Sequence, residues 1–157
     1  MPTSVLKTSF SHFTLCVSDM ARSMRFYCDA LGFTPIEHFA LGNEVGKLME
    51  IDADLQFRAQ YLRLSDVRLE LFVFTRPQTQ EAGPRRPMHT IGYTHLAVRV
   101  DDLDAAVERV TRHGGTVLPG TRTKVAMPGF DPEIIYCLDP DGLRVELLSM
   151  PEAASLS

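Results

Sequence analysis

The sequence predicts an α+β fold made of two βαβββ modules that form a curved mixed sheet around a shared site. A short apolar segment with a central glutamate occurs twice, at residues 68–72 and 144–148, with the two glutamates 76 residues apart. A segment that opens with histidine and ends in an acidic turn also occurs twice, at residues 12–19 and 95–102, offset by 83 residues. Because an internal repeat dictates the architecture of a chain, we expect two copies of one module.

The first module is predicted from strand alternation and helix-end signals. Alternation over residues 11–17 places His12 and Thr14 on the same face of a strand. Asp19 can cap the following helix, and Gly32 can end that helix in a left-handed conformation. The predicted elements are strands at residues 11–17, 33–38, 56–64 and 68–74, a helix at 20–31, and a loop or short helix at 41–54 that could form a pocket wall.

The second module repeats this order. Asp102 can cap its helix, and Gly114 with Gly115 can end it. The predicted elements are strands at residues 90–100, 116–118, 134–138 and 144–149, a helix at 103–113, and a loop at 119–132 that could order over a ligand. A segment broken by proline, glycine and arginine divides the repeats. The predicted organisation is therefore a first module at residues 10–76, a linker at 77–90 and a second module at 91–150.

The composition indicates a globular protein without a polyanionic partner. Of 157 residues, 45% are hydrophobic and 23% are charged, and the net charge of −4 gives no argument for binding nucleic acid or an anionic membrane. No apolar run is long enough for a membrane span, and the first eleven residues lack the apolar centre of a signal peptide. Cys16, Cys28 and Cys137 show no C-x-x-C spacing. We expect a reduced, cytoplasmic protein that acts on a small molecule.

Four polar residues occupy matched positions in the two copies: His12 with His95, and Glu70 with Glu146. Burying a carboxylate within an apolar strand is costly unless it is paired or binds a metal. Two imidazoles and two carboxylates make a mixed nitrogen and oxygen site that suits one divalent ion such as Zn²⁺, Ni²⁺, Co²⁺, Mn²⁺ or Fe²⁺. The repeat therefore predicts that these four residues are metal ligands.

The motifs of this chain resemble those of the vicinal oxygen chelate superfamily, also described as the glyoxalase/bleomycin resistance/dioxygenase group. The resemblance is carried by the segment that begins at His12, the helix end at residues 22–33, Leu69-Glu70-Leu71, His95-Leu-Ala-Val, and Asp139-Pro-Asp-Gly with Val145-Glu146-Leu147. It covers about residues 10–150 and implies the paired-module fold. The same fold hosts lyases, epimerases, ring-cleaving dioxygenases and metal-free binding proteins.

The ligand set favours one branch of this superfamily. All four ligand positions of glyoxalase I-like members are matched, whereas epimerase-like members usually carry glutamine where this chain has Glu70. The resemblance implies a metal-dependent lyase or isomerase that removes a proton next to a carbonyl, with Glu146 as the first candidate for the base and Glu70 as the second. The alternatives are a non-haem Fe(II) ring-cleaving dioxygenase, which uses two histidines and one glutamate, and a non-catalytic small-molecule binding or resistance protein.

Two cationic residues are candidates for binding a substrate carboxylate or phosphate. Arg63 is predicted on the same face of its strand as Tyr61, opposite the core, and Lys124 lies in the predicted 119–132 loop. The resemblance also implies a homodimer, because members commonly pair modules across subunits. The sequence leaves open whether the site lies within one chain or is shared between two.

Overall fold

The structure, a computed structural model that describes residues 6–129 and 131–150, confirms the α+β fold of two βαβββ modules. Its strands form two four-stranded sheets, in the order β1-β4-β3-β2 and β5-β8-β7-β6. The elements are β1 (Phe13–Cys16), α1 (Met20–Met24), β2 (Thr34–Gly42), β3 (Gln56–Leu64), β4 (Val67–Arg76), β5 (Leu96–Val100), α2 (Leu103–Arg112), β6 (Thr116–Lys124), β7 (Glu133–Leu138) and β8 (Arg144–Ser149).

The strand that follows each histidine pairs directly with the glutamate-bearing strand of its own module. The β1–β4 and β5–β8 pairs are parallel, and the other pairs within each sheet are antiparallel. This register sets Thr14 opposite Glu70 and Ala97 opposite Glu146. Directly paired residues share a face of the sheet. Both glutamates therefore lie on the face opposite the one that carries the core residues.

Both modules contribute to one hydrophobic core on the other face of the sheets. Aliphatic side chains of the two sheets pack there with the helical segments, among them Phe26, Tyr27, Leu71, Val110 and Leu147. The hydroxyl of Tyr27 donates a hydrogen bond to Asp139 Oδ2 at 2.8 Å, across the two modules. The helices therefore hold the modules together from the side opposite the glutamates.

The segment between β2 and β3 builds a second, smaller apolar cluster. A 3₁₀ turn at Asn43–Val45 opens this segment, which was predicted as a loop or short helix. Leu55, Phe57 and Ala59 are buried in the cluster, and Leu41, Val45, Met49, Ile51, Phe72 and Phe74 pack against them. Phe57 and Phe72 belong to strands β3 and β4, with Phe72 on the face of Glu70 by alternation. This segment therefore walls one end of the first sheet's polar face.

Several local predictions differ from the structure, among them that of β2, which runs to Gly42 although its end was predicted at His38. The first helix is α-helical only through α1 and continues as a π-helical segment at Arg25–Ala30. Strand β6 extends to Lys124, although a loop was predicted from Pro119, because a register shift between Leu118 and Thr123 absorbs the proline. Strands β1 and β5 begin one residue after His12 and His95, so both histidines precede the strands in which they were predicted. Within the described ranges, every helix is too short or too polar to cross a membrane.

Candidate metal centre

The first module joins His12 and Glu70 in a half-site. His12 Nε2 lies 3.2 Å from Glu70 Oε2, and the glutamate side chain is only 7% exposed. The hydroxyl of Thr14 donates to the same oxygen at 2.7 Å. Tyr61, the cross-strand partner of Glu70, packs edge-on against the His12 ring with centroids 5.3 Å apart. The carboxylate is therefore enclosed by an imidazole, a hydroxyl and a phenol.

The second module builds a matching half-site from His95 and Glu146. His95 Nε2 lies 3.3 Å from Glu146 Oε2, and the glutamate side chain is 16% exposed. Tyr136, its cross-strand partner, donates a hydrogen bond to Glu146 Oε2 at 2.9 Å and packs edge-on against the His95 ring at 5.2 Å between centroids. Ala97 stands where the first module has Thr14, so this half-site lacks the strand hydroxyl.

A hydroxyl residue orients each imidazole. Ser11 Oγ lies 2.8 Å from His12 Nδ1, and Thr94 Oγ1 lies 2.9 Å from His95 Nδ1. When Nδ1 carries the proton and donates to the hydroxyl oxygen, Nε2 keeps its lone pair directed at the carboxylate. Such an outer partner is what fixes the tautomer and ring orientation of a metal-ligating histidine.

The spacing of each pair fits two neighbouring ligands of one divalent ion. Nitrogen and oxygen ligands bonded at about 2.0–2.2 Å in tetrahedral or octahedral geometry are roughly 3.0–3.4 Å apart. The observed Nε2–Oε2 separations of 3.2 and 3.3 Å fall within that interval. Both pairs therefore have the donor types and the spacing that a metal such as Zn²⁺, Ni²⁺ or Co²⁺ requires.

The four predicted ligands meet as two pairs within a single chain. In residues 6–129 and 131–150, no group of three or more histidine, cysteine, aspartate or glutamate side chains is close enough to hold a metal ion. The expected convergence of His12, Glu70, His95 and Glu146 on one point is thus not reached inside one protomer. Each module brings together one histidine and one glutamate of the four predicted ligands.

Tyr61 and Tyr136 were missed as site residues, although the repeat carried a signal for them. Tyr61 precedes Glu70 by nine residues, and Tyr136 precedes Glu146 by ten. The extra residue lies in the turn of the second module, which is one residue longer than the turn of the first. Burial raises the pKa of each phenol to about 12, and the adjacent glutamate adds to this rise through its hydrogen bond and its negative charge. Both phenols therefore stay protonated at neutral pH, as hydrogen-bond donors toward the carboxylates.

The two predicted substrate cations lie in different environments. Arg63 is exposed and shares its sheet face with Tyr61 and Arg68. The guanidinium of Arg68 lies 4.8 Å from the centre of the Tyr61 ring. Lys124 is the cross-strand partner of Glu133, whose carboxylate binds Arg122 beside Asp104 of α2. That pairing directs Lys124 to the helix side of the sheet, so within one chain it is not brought to Glu146.

Comparison with known proteins identifies the class of protein that this fold and site define. A family model described as the Glyoxalase/Bleomycin resistance protein/Dioxygenase superfamily matches residues 9–147. The chain therefore belongs to this superfamily, as its motifs predicted.

Several relatives share this architecture over most of their length. The chain is 35% identical over 138 residues to an uncharacterized protein, YaeR, of Escherichia coli K12, covering 87% of this chain and 92% of the relative. It is 30% identical to a 2-epi-5-epi-valiolone epimerase of an Actinomyces species, covering 91% and 80%, and 30% identical to a lactoylglutathione lyase of Haemophilus influenzae, covering 87% and 89%. A solved glyoxalase family protein of Bacillus cereus superposes with a TM-score of 0.79 at 18% identity, covering 94% and 98%.

Proposed function

We propose that this protein is a divalent-metal-dependent enzyme that removes a proton from a carbon next to a carbonyl group, as a lyase or isomerase. The observation that carries the proposal is the pair of matched half-sites, each with an imidazole nitrogen 3.2 or 3.3 Å from a carboxylate oxygen. The same histidine, glutamate and tyrosine recur in both modules. The names of the Actinomyces and Haemophilus relatives, an epimerase and a lyase, support this reaction class.

His12, Glu70, His95 and Glu146 would hold the metal through Nε2 and carboxylate oxygens. When bound, a divalent ion supplies Lewis-acid stabilisation of the negative charge that develops on the substrate oxygen as the neighbouring carbon loses its proton. Thr14 and Tyr61 beside Glu70, and Tyr136 beside Glu146, hold the carboxylates in place before a substrate binds. These side chains would therefore arrive at the substrate already positioned, which is a large part of what such a site contributes to rate.

Glu146 is our choice for the general base. Its side chain is more exposed than that of Glu70, and a single side-chain donor, Tyr136, holds it within the described part of the chain. A carboxylate that can move toward the carbon takes the proton and returns it to the neighbouring carbon. Inversion of the same carbon would need a proton delivered by water on the opposite face. Glu70, enclosed by Thr14 and Tyr61, would remain in place during that exchange.

A second copy of this chain would complete the four-ligand set. The first module of one copy would face the second module of the other. Because a twofold axis repeats each contact, the dimer would contain two equivalent sites. An exposed apolar strip lies beside both histidines: Phe10, Phe13, Ile91 and Tyr93 are 61%, 39%, 97% and 88% exposed, and Phe13 bridges Phe10 and Tyr93. Such strips mark surfaces that another protein surface covers. We therefore propose a homodimer with shared sites.

Arg63 is proposed as a contact for an anionic group of the substrate. Its guanidinium is exposed, it lies on the face that carries Tyr61, and no ion pair engages it in residues 6–129 or 131–150. Arg99 has the same character in the second module, since it shares the face of Ala97 and pairs across strands with Leu148. A small substrate with a carbonyl group near the metal and an acidic group further along the sheet fits this arrangement.

Elemental analysis of protein purified without affinity-tag metals tests the proposal. We expect about one divalent ion per chain in the wild type, and its loss in His95→Ala. His38→Ala is the matched control, because His38 lies on β2 away from both glutamates and should leave the metal content unchanged. Absence of metal after reconstitution with Zn²⁺, Ni²⁺, Co²⁺, Mn²⁺ and Fe²⁺ in turn would contradict the proposal and favour a metal-free binding protein.

The reaction class is tested separately on the metal-loaded protein. Deuterium from D₂O should enter the carbon next to the carbonyl of an α-hydroxy thioester such as lactoylglutathione, and Glu146→Gln should abolish this exchange while the metal stays bound. Oxygen consumption that depends on Fe²⁺ and a catechol, without any such exchange, would favour the ring-cleaving dioxygenase.

A further inference from the structure

The two half-sites differ in the side-chain donors that hold their carboxylates. In the first module, Thr14 Oγ1 donates at 2.7 Å to Glu70 Oε2, the oxygen that also faces His12 Nε2. In the second module, the residue at the same register position beside Glu146 is Ala97, which has no side-chain donor. The histidine, the tyrosine and the hydroxyl residue before the histidine are present in both modules. Tyr136 donates to Glu146 Oε2 at 2.9 Å, and Tyr61 is the cross-strand partner of Glu70, so the strand residue, Thr14 or Ala97, is where the residue types differ.

We propose that Thr14 is a positioning residue that makes Glu70 the fixed metal ligand and leaves Glu146 the releasable one. The inference rests on the proposed function, since it assigns unequal roles to two carboxylates of that metal centre. Residue 14 and its counterpart Ala97 thereby determine which of two near-equivalent glutamates is free to accept the proton.

The physical reason is the cost of moving a carboxylate out of its ligand position. If Glu70 left, it would give up the charge-assisted hydrogen bond from Thr14, and a bond of that type is among the stronger ones in proteins. The Glu70 side chain is also enclosed by its neighbours, since only 7% of it is exposed. It therefore has little room to move. Glu146 would give up the bond from Tyr136, but it has no second donor on its neighbouring strand, because Ala97 stands there, and its side chain is more open, at 16% exposed.

A Co²⁺ titration of the dimeric protein tests this without any substrate. Visible absorption reports both the affinity and the coordination of bound Co²⁺. Outer partners of metal ligands typically contribute 10- to 100-fold to affinity, so we expect Thr14→Val to weaken Co²⁺ binding about tenfold and Thr14→Ser, which keeps the hydroxyl, to remain within about twofold of wild type. Equal affinities for Thr14→Val and Thr14→Ser would overturn the role of the hydroxyl.

A comparison of glutamine variants isolates the proposed inequality of the carboxylates. With Thr14 present, Glu70→Gln should lose about tenfold more Co²⁺ affinity than Glu146→Gln, because it removes the better-held ligand. In the Thr14→Val background, the two glutamine variants should lose similar amounts. In the Ala97→Thr background, which adds a hydroxyl beside Glu146, the loss caused by Glu146→Gln should grow to match that of Glu70→Gln.

The outcomes separate this inference from the proposed function. If the wild type binds Co²⁺ and His95→Ala does not, the metal centre stands whatever the glutamine variants show. Losses that stay equal for the two glutamates, whichever residue is present at positions 14 and 97, would then overturn only the role of Thr14. Failure of the wild type to bind Co²⁺ would overturn the metal centre and, with it, this inference.

Discussion

Asp139 is a buried carboxylate whose hydrogen bonds join the two modules. It accepts hydrogen bonds from the Tyr27 hydroxyl at 2.8 Å and from the backbone amides of Asp141 and Leu143 at 2.9 and 2.8 Å. Burial raises the pKa of Asp139, and these three donors oppose that rise because they stabilise the charged form. The Asp-Pro-Asp-Gly turn thus has a structural function, namely attachment of the second module to the first helix.

Loss of the Tyr27 hydroxyl should destabilise the protein. Tyr27→Phe leaves one side of a buried carboxylate without its donor, and the expected cost is about 1–3 kcal/mol in the free energy of unfolding. Urea denaturation measures this change. Tyr93→Phe is the control, because the Tyr93 side chain is 88% exposed and its hydroxyl makes no hydrogen bond within the described ranges. Equal unfolding midpoints for the two variants would show that the Tyr27–Asp139 contact contributes nothing.

Cys137 should resist alkylation in the folded protein. Burial, and then the charge of Asp139, raises the pKa of the Cys137 thiol to about 12, and its side chain is fully buried. At pH 8 only about one thiol in ten thousand would be ionised, and the thiolate is the reactive form. Peptide mapping after iodoacetamide treatment should find Cys137 unmodified in native protein and modified in urea. Rapid native labelling of Cys137 would contradict this packing.

At the scale of elements, Gly115 allows the first module's helical segment to approach the second module. A Cβ at this position would lie 2.5 Å from Phe26 Cε2 and 2.6 Å from Val110 Cγ1, well inside van der Waals contact. Glycine at the end of α2 was predicted as a helix terminator, a role that the left-handed Gly114 fulfils. The need for glycine at position 115 comes from tertiary packing.

Gly115→Ala should therefore destabilise the protein by overpacking. The expected cost is about 1–3 kcal/mol, which corresponds to a fall of several degrees in the thermal midpoint for a chain of this size. Gly120→Ala is the matched control, because a Cβ at Gly120 meets no atom within 4 Å and this glycine does not adopt a positive φ. Differential scanning calorimetry distinguishes them, and equal midpoints would contradict the close approach.

The accuracy of the element predictions follows from how local their signals are. The helix caps were predictable because Asp19 and Asp102 accept hydrogen bonds from amides three residues ahead, at 2.8 and 2.9 Å. Strand β3 was predicted with its exact ends, since alternation and the following turn are both local. The extension of β6 beyond Pro119 was not predictable, because it depends on pairing with β7 and a register shift.

At the scale of the whole molecule, the repeat predicted the residues of the candidate site but not their grouping. Offsets in the sequence show that His12 corresponds to His95 and Glu70 to Glu146. They do not show which histidine lies next to which glutamate. The parallel β1–β4 and β5–β8 pairs decide this, because they place each histidine beside the glutamate of its own module. Thr14, Tyr61 and Tyr136 join the site through strand registers, which set each of them beside a glutamate.

A shared site predicts that two inactive variants restore each other. His12→Ala disables every first module and His95→Ala every second module, so neither homodimer can hold a complete ligand set. In a mixed dimer, one of the two sites combines the intact first module of one copy with the intact second module of the other. With random pairing, half of the dimers are mixed, so co-expression should recover about a quarter of the wild-type metal content.

The same mixture provides its own control. Replacing His95→Ala with His12→Ala/His95→Ala in the co-expression removes the intact first module that the recovery needs, and the metal content should fall to background. Recovery with the two single variants and none with the double variant would establish exchange of modules between copies. No recovery in either mixture, from protein that sediments as a dimer, would place each site within one chain and contradict the shared arrangement.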